Sequence, residues 1–494
     1  MKAIVKSSVL ALTGHGQLRA SRCLISIALS ACCTGLIFFC AILGTNDNRV
    51  ITYAKSSSDA AKSSLDVFGH QAHNLSYLMK HDLTPNFSYS RRLIKTEHFN
   101  GDRPTLSVVN KMLPITPQIL DTYHPANVAI TSLPPLTLRV PNSPKVGSCI
   151  FSFGMSTKIP RLKGSISQLE HWLSNTDCPL NVLVPPGDGD LHLQQTIRDL
   201  FINATITTTD LEFAKSYFSL IKPLYEARTP STQWLVLMDD DTFVPSLPAL
   251  TDHFTTTYKA EEEMLVSATS DDLDQIRTFG LIPFGGGGVF ISVPLAERLL
   301  RPETWEACLA IPQSQGDGLL NDCLGQHSIV RPIIDHGLNQ MDIGGSDEPV
   351  AGYMESGRRM LTVHHWKSWF YVDMAMVAKV AEATGDEGVL MRWMFEGNLV
   401  LSNGYSIVEY VGGVDGIDFE AVELTWAKIG EQRRYLHHVG PLREKLGKDK
   451  KRTYLIAEAE AVEDGVRQIY INRVEGKNDS STEIDRVIEL VWLF

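Results

Sequence analysis

The sequence predicts an α/β protein, and three observations lead there. From about residue 148 short apolar segments alternate with amphipathic ones. After residue 380 the alternation gives way to consecutive strand-like segments. Ahead of both lies an uncharged apolar run long enough to cross a membrane. Strand–helix alternation argues a parallel-stranded sheet with helices packed on it, whose ligands bind beyond the carboxyl ends of the strands.

The apolar run comes first in the chain. Residues 23–43, CLISIALSACCTGLIFFCAIL, carry no charge. At 1.5 Å per residue such a helix spans a hydrocarbon core of roughly 30 Å. Lys2, Lys6, Arg19 and Arg22 precede it without an acid, whereas Asp47 follows it. That asymmetry predicts a cytosolic N-terminus and a lumenal remainder. A cleaved signal peptide is the competing reading, but the run is too long for one and ends in a poor cleavage site. Sequons at Asn74, Asn86, Asn203 and Asn478 fall on the lumenal side. Of eight cysteines, four lie in the run, leaving Cys149, Cys178, Cys308 and Cys323. Three pairings are open to them, and the short separation favours Cys308 with Cys323.

Residues 44–145 are rich in serine and then proline and read as a stem. The α/β domain, 146–384, opens with CIFSFGM as a strand and LKGSISQLEHWLSN as a helix. LNVLVPP and WLVLM follow as strands, with LHLQQTIRDLF and LPALTDHF as helices. In the β-rich extension, 385–494, NLVLSNGYSIVEYV, RTYLIAEAEAV, VRQIYIN and DRVIELVWLF read as strands. The net charge of −12 excludes a broad nucleic-acid footprint.

Four motifs carry chemistry. Asp239, Asp240 and Asp241 follow the strand WLVLM directly, and three adjacent carboxylates need a compensating positive charge. A divalent cation is the economical one, because hard cations take oxygen ligands and bridge carboxylate to phosphate. A strand ending at Met238 puts Asp239 and Asp241 on one face and Asp240 on the other. FGGGGVFISV offers glycines for close backbone approach, or a flexible turn before a strand. In GDGLLNDCL, Asp317 precedes an apolar helical stretch, and taken alone it reads as a helix cap, with Asp322 further on. LTVHHWKSWF places His364, His365, Trp366 and Trp369 together, imidazoles for a metal and indoles for sugar C–H groups, or else an aromatic core strand.

In this order the motifs resemble the fringe-type β1,3-glycosyltransferases of family 31, over roughly residues 148–372, with a C-terminal part like that of fungal members. The resemblance implies a GT-A-type, Rossmann-like mixed sheet with helices on both faces. It implies an inverting transfer of a hexose or N-acetylhexosamine from a UDP-sugar to a glycan or glycoprotein, with Mn²⁺, in the Golgi. It assigns the metal to Asp241 and His364, with His365 as a substitute, and the general base to Asp317. Asp239, Asp240, Met155, Ser156, Thr157, Arg161, Gly286 and Gly287 fall near the nucleotide donor, and Trp366 and Trp369 near the acceptor. The glycine-flanked Asp317 replaces the family's commoner acidic pair. The alternative is a membrane-anchored carbohydrate-binding protein without turnover, separated by whether UDP is released. Homodimerisation is left open.

Overall fold

The computed structural model describes residues 71–494 except 115–116, 127, 131–132, 188–190, 344–350, 427–439 and 475–482. The expected cytosolic tail, the apolar run at 23–43, the expected stem up to residue 70 and the sequon at Asn478 lie outside the described residues. Among the described residues no helix is long and apolar enough to cross a membrane.

A seven-stranded sheet positions the candidate site. Its strands are β1 (Phe151–Ser156), β2 (Leu180–Val184), β3 (Ala204–Thr208), β4 (Trp234–Met238), β5 (Leu265–Ala268), β6 (Phe284–Ser292) and β7 (Ile333–Ile334), in the order β7-β5-β6-β4-β1-β2-β3. The run β4-β1-β2-β3 is parallel, as expected. β6 is not: it runs antiparallel to both β4 and β5, so the sheet is mixed. The glycine-rich segment is therefore the start of a strand rather than a turn before one.

Central strands buried on both faces need apolar residues at every position, and β4 shows how they divide. Trp234, Val236 and Met238 face one core, and Leu235 and Leu237 face the other. The first core is completed by Leu169, Trp172 and Leu173 of a helix at Ile166–Leu173. The second is completed by Tyr217 and Phe218 of α1 (Phe213–Ser219) and by Leu319 and Leu320 of α3 (Gly316–His327). Helices thus cover both faces. Two disulfides, Cys149–Cys178 and Cys308–Cys323, are formed, the second as the sequence favours.

The stem expectation is corrected from residue 86 onward. Asn86–Phe99 pairs in parallel with Arg486–Leu493, the last strand of the chain, and Leu136–Pro141 pairs with Asn86–Phe99. Together with Ser107–Met112, Gln118–Asp121, the unpredicted strand Arg392–Glu396 and the predicted C-terminal strands they build a ten-stranded sheet. One apolar cluster runs from Phe151 and Trp234 through to Trp393 and Trp492, so the two sheets share a core. The β-rich part is not an appendage; residues from both ends of the chain make it.

Candidate functional site

β4 ends at Met238, and its alternation persists into the acidic triplet. Asp240 turns its carboxylate to Thr157 and Arg161, whereas Asp239 and Asp241 both approach His364. Asp240 is fully committed. Arg161 donates to both its oxygens at 2.7 Å, Thr157 donates to it, and Lys367 lies 3.7 Å away. Its backbone carbonyl accepts from Ser165 at 2.6 Å and Gln168 at 3.0 Å. The compensating charge that three aspartates demand is thus supplied in part by Arg161 and Lys367. Asp240 acts as an anchor for the turn, not as a free ligand. Ser156 bonds Ser216 at 2.6 Å, and Met155 is core, paired across the sheet with Met238. Of the predicted donor-binding segment, only Arg161 leaves its side chain substantially open to solvent.

The histidine motif is brought to the triplet by backbone pairing. Phe243 and Val363 exchange both hydrogen bonds at 2.8 Å. β8 (Leu338–Asn339) pairs with β9 (Thr362–Val363) just before His364. His364 is buried, with Nε2 3.1 Å from Asp241 Oδ1 and 3.4 Å from Asp239 Oδ2. Its Nδ1–H donates to the Gln340 carbonyl at 3.2 Å, which leaves Nε2 facing the carboxylates. Burial works to lower the His364 pKa, but hydrogen bonds and charges from Asp239 and Asp241 outweigh it and hold the ring near 10. Burial likewise works to raise the Asp241 carboxyl, and His364 overrides it, holding the group well below the usual carboxylate range.

His365 is engaged differently, at a backbone φ of 58°. Its Nε2 donates to Asp342 at 2.9 Å, its Nδ1 meets Ser368 at 2.9 Å, and Ser368 donates to Asp241 at 3.0 Å. Trp369 stacks flat on it, with centroids 4.5 Å apart. Ligand atoms of Asp241, His364 and His365 lie within 4.8 Å of one another. One carboxylate and imidazole nitrogen form a donor set that suits Mn²⁺, so the residues fit the metal. Of the two histidines, His364 is the one whose Nε2 faces Asp241 and Asp239, whereas His365 Nε2 faces Asp342.

The glycine run serves this geometry from beneath. A Cβ on Gly286 would lie 2.0 Å from the His364 ring, so only glycine lets that ring settle. Thr242 donates to the Gly286 carbonyl at 2.7 Å, and Gly287 N–H donates to Gln340 at 2.8 Å. Both glycines are buried, and the expectation that they touch the donor is corrected: Gly286 lies against the His364 ring and Gly287 against Ala268 and the Asn339–Gln340 backbone.

Asp317 stands across a cavity of about 250 Å³ whose walls also include Asp342, His365 and Trp369. It occupies the second position of α3, whose N-cap is Gln315, so the capping expectation fails. Its Oδ1 accepts from Gly318 N–H at 2.9 Å. Burial, with Asp239 nearby, overrides that bond and pushes the carboxyl up to about 6. Asp322 bonds Gln313 instead, at 3.2 Å. Trp366 is only 7% exposed and belongs to the core, so its assignment to an acceptor is corrected; Trp369, 39% exposed, faces the cavity.

Tyr217, Asp342, Ser368 and Lys367 were not singled out by sequence. Tyr217 explains the glycine before Asp317: a Cβ on Gly316 would fall 2.5 Å from its ring. The only sequence signal for Lys367 and Ser368 was their place inside the histidine motif; Tyr217 and Asp342 lie outside every motif and gave none.

No protein-family model and no curated protein matches the chain. Solved structures with some likeness include three sugar-transferring enzymes. Mouse xyloside xylosyltransferase 1 in its apo form is 12% identical, covers 38% of this chain and 86% of its own, and has a TM-score of 0.27. Galactosyltransferase LgtC in complex with donor and acceptor sugar analogues is 11% identical over 46% and 92%, with a TM-score of 0.32. The glycosyltransferase GlyE of Streptococcus pneumoniae TIGR4 is 13% identical over 46% and 59%, with a TM-score of 0.30.

Proposed function

We propose that the chain is an inverting, metal-dependent glycosyltransferase of the fringe type. It moves a hexose or N-acetylhexosamine from a UDP-sugar to a glycan or glycoprotein hydroxyl, forming a β1,3 linkage. The observation that carries the reading is a pair of unlike carboxylates: Asp317 lines the cavity, and Asp241 is tied through Ser368 to His365, which lines it too. Asp241 is held ionised against His364, and Asp317 is raised towards neutrality.

Asp241 and His364 would hold the cation, which when bound supplies Lewis-acid stabilisation of the departing diphosphate. Arg161, fixed by Asp240 and still solvent-facing, is placed to add positive charge for the donor. Asp317 accepts the proton of the acceptor hydroxyl as its oxygen bonds the anomeric carbon. The bond from that carbon to the diphosphate oxygen breaks in the same step, and its electron pair leaves with UDP. One base suffices for a single displacement, unlike the carboxylate pair of a retaining glycosidase. A carboxyl near 6 is ionised at neutral pH and still basic enough to share the proton in the transition state.

The same reading places the protein as a single-pass type II protein of the Golgi membrane, through residues 23–43. Two disulfides agree with an oxidising lumen. Protease protection in sealed microsomes tests the topology, and digestion of the C-terminal portion from outside would refute it. Incubating the protein with Mn²⁺ and UDP-Gal, UDP-GlcNAc or UDP-Glc plus glycan acceptors tests the chemistry. Acceptor-dependent release of UDP is expected from one donor; no release from any would sink the reading.

A further inference from the structure

The connection between β5 and β6 carries α2 (Leu273–Phe279), a seven-residue helix that contains no buried residue. A helix that contributes nothing to the core needs another reason for its sequence. Two of its side chains, Gln275 and Phe279, line the cavity that holds Asp317. Phe213, at the start of α1, and Trp369 line it too. These three aromatic residues are 39% (Phe279), 56% (Phe213) and 39% (Trp369) exposed. Isolated exposed apolar residues are ordinary, but several around one concavity mark a binding surface.

The walls are of two kinds. Phe213, Phe279 and Trp369 offer apolar ring surface, and Gln275, Gln315 and Asp317 offer hydrogen-bonding groups. A pyranose has the matching duality, one face of C–H groups and an edge of hydroxyls. Its C–H groups carry partial positive charge and lie well over the electron-rich face of an aromatic ring. Trp369 is already held flat by its stack on His365, so it presents its free face at no further ordering cost. A cavity of about 250 Å³ takes one sugar ring, not an extended oligosaccharide.

We propose that α2 is the acceptor-recognition element and that the cavity binds a single terminal pyranose of a glycan. Its C–H face stacks on Phe279 and Trp369, and a hydroxyl is delivered to Asp317. Recognition of a sugar ring stands on the cavity itself; delivery of the hydroxyl to a base rests on the transfer reading above.

Saturation-transfer NMR on the full-length protein tests it, with methyl β-galactoside, methyl β-glucoside, methyl β-N-acetylglucosaminide and a serine/threonine-rich peptide as probes. At least one glycoside should bind, with saturation concentrated on the protons of its C–H face. Phe279→Ala should weaken that binding roughly 3- to 10-fold, the worth of one aromatic contact, with an unchanged Tm because the residue is outside the core. Gln275→Ala should weaken it by a smaller factor. Binding of the peptide but of no glycoside, or unaltered glycoside affinity in Phe279→Ala, would overturn the proposal. Acceptor-dependent UDP release, measured in parallel, separates the two readings. Glycoside binding without UDP release supports this proposal and refutes transfer. Transfer with an unchanged acceptor KM in Phe279→Ala refutes this proposal and leaves transfer standing.

Discussion

At one end of the site Asp241 lies against His364 and Ser368; at the other Asp317 lies among backbone amides and the walls of a cavity. Asp241 is buried and Asp317 half-buried, and removal from water favours the neutral form of each. At Asp241 a buried imidazole and a hydroxyl outweigh that pressure. At Asp317 no cation is among the causes that shift it, and the neighbouring charge that counts is the like charge of Asp239, so burial wins. Burial alone therefore does not fix the acidity, and the sign is set by what faces each group. Under the proposed transfer reading the difference divides the roles: a permanently charged group suits a ligand, and a group that titrates near neutrality suits proton transfer.

The largest expected effect attacks the charged end. Asp241→Asn keeps the shape and removes the charge, so Mn²⁺ binding and turnover should both be nearly abolished. Without metal the same change breaks a buried pair and should cost about 3 kcal/mol of stability. Calorimetric Mn²⁺ titration and thermal unfolding check both.

Next comes the proton-transfer end. Asp317→Asn should lower transfer by about 10²–10⁴, the usual worth of general-base assistance, and leave Mn²⁺ affinity intact. The stability change should run the other way. A carboxyl raised from 3.8 to about 6 contributes stability that is fully present below the unfolded value and lost as pH rises through 6. Wild-type protein should thus lose stability between about pH 4 and 7 while its activity rises over the same interval. Asp317→Asn should lack both slopes and be more stable at pH 8 by on the order of 3 kcal/mol. Denaturant unfolding across pH measures this.

A smaller effect separates the two histidines. His364→Ala should remove metal affinity. Asp342→Asn, which loosens His365 along with the carboxylate's bonds to Ser270 and Gln340, should reduce affinity or turnover by roughly 10-fold, as loss of an orienting partner does. Equal and total loss in both would make His365 the ligand. Gly286→Ala belongs with His364, because its new Cβ would displace the ring. Smallest of all, Tyr217→Phe should be close to neutral: the hydroxyl is buried without a hydrogen-bond partner among the described residues.

Much of this was legible in the chain. WLVLM followed by three aspartates announced a strand end, and the period of two correctly separated Asp240 from its neighbours. Cys308 and Cys323 were paired from separation alone, and the C-terminal strands from their alternation. What was hidden depended on contacts between distant segments. Arg161 claims Asp240, and Asp342 claims His365, across stretches with no local pattern. Asn86–Phe99 escaped notice as a strand because Ser88, Ser90 and Arg92 occupy buried positions, which erases the apolar alternation a strand normally shows. The glycines were read for approach to a ligand, and the approach is real, but what comes close is the protein's own histidine and tyrosine.

The division of labour between the two carboxylates is tested most directly by one pair of measurements on Asp317→Asn. Donor binding in the presence of Mn²⁺ and single-turnover transfer to acceptor should be recorded on the same preparation. Wild-type donor affinity with transfer lost by at least about 10² is the expected result. Near wild-type transfer would contradict it and move the base elsewhere.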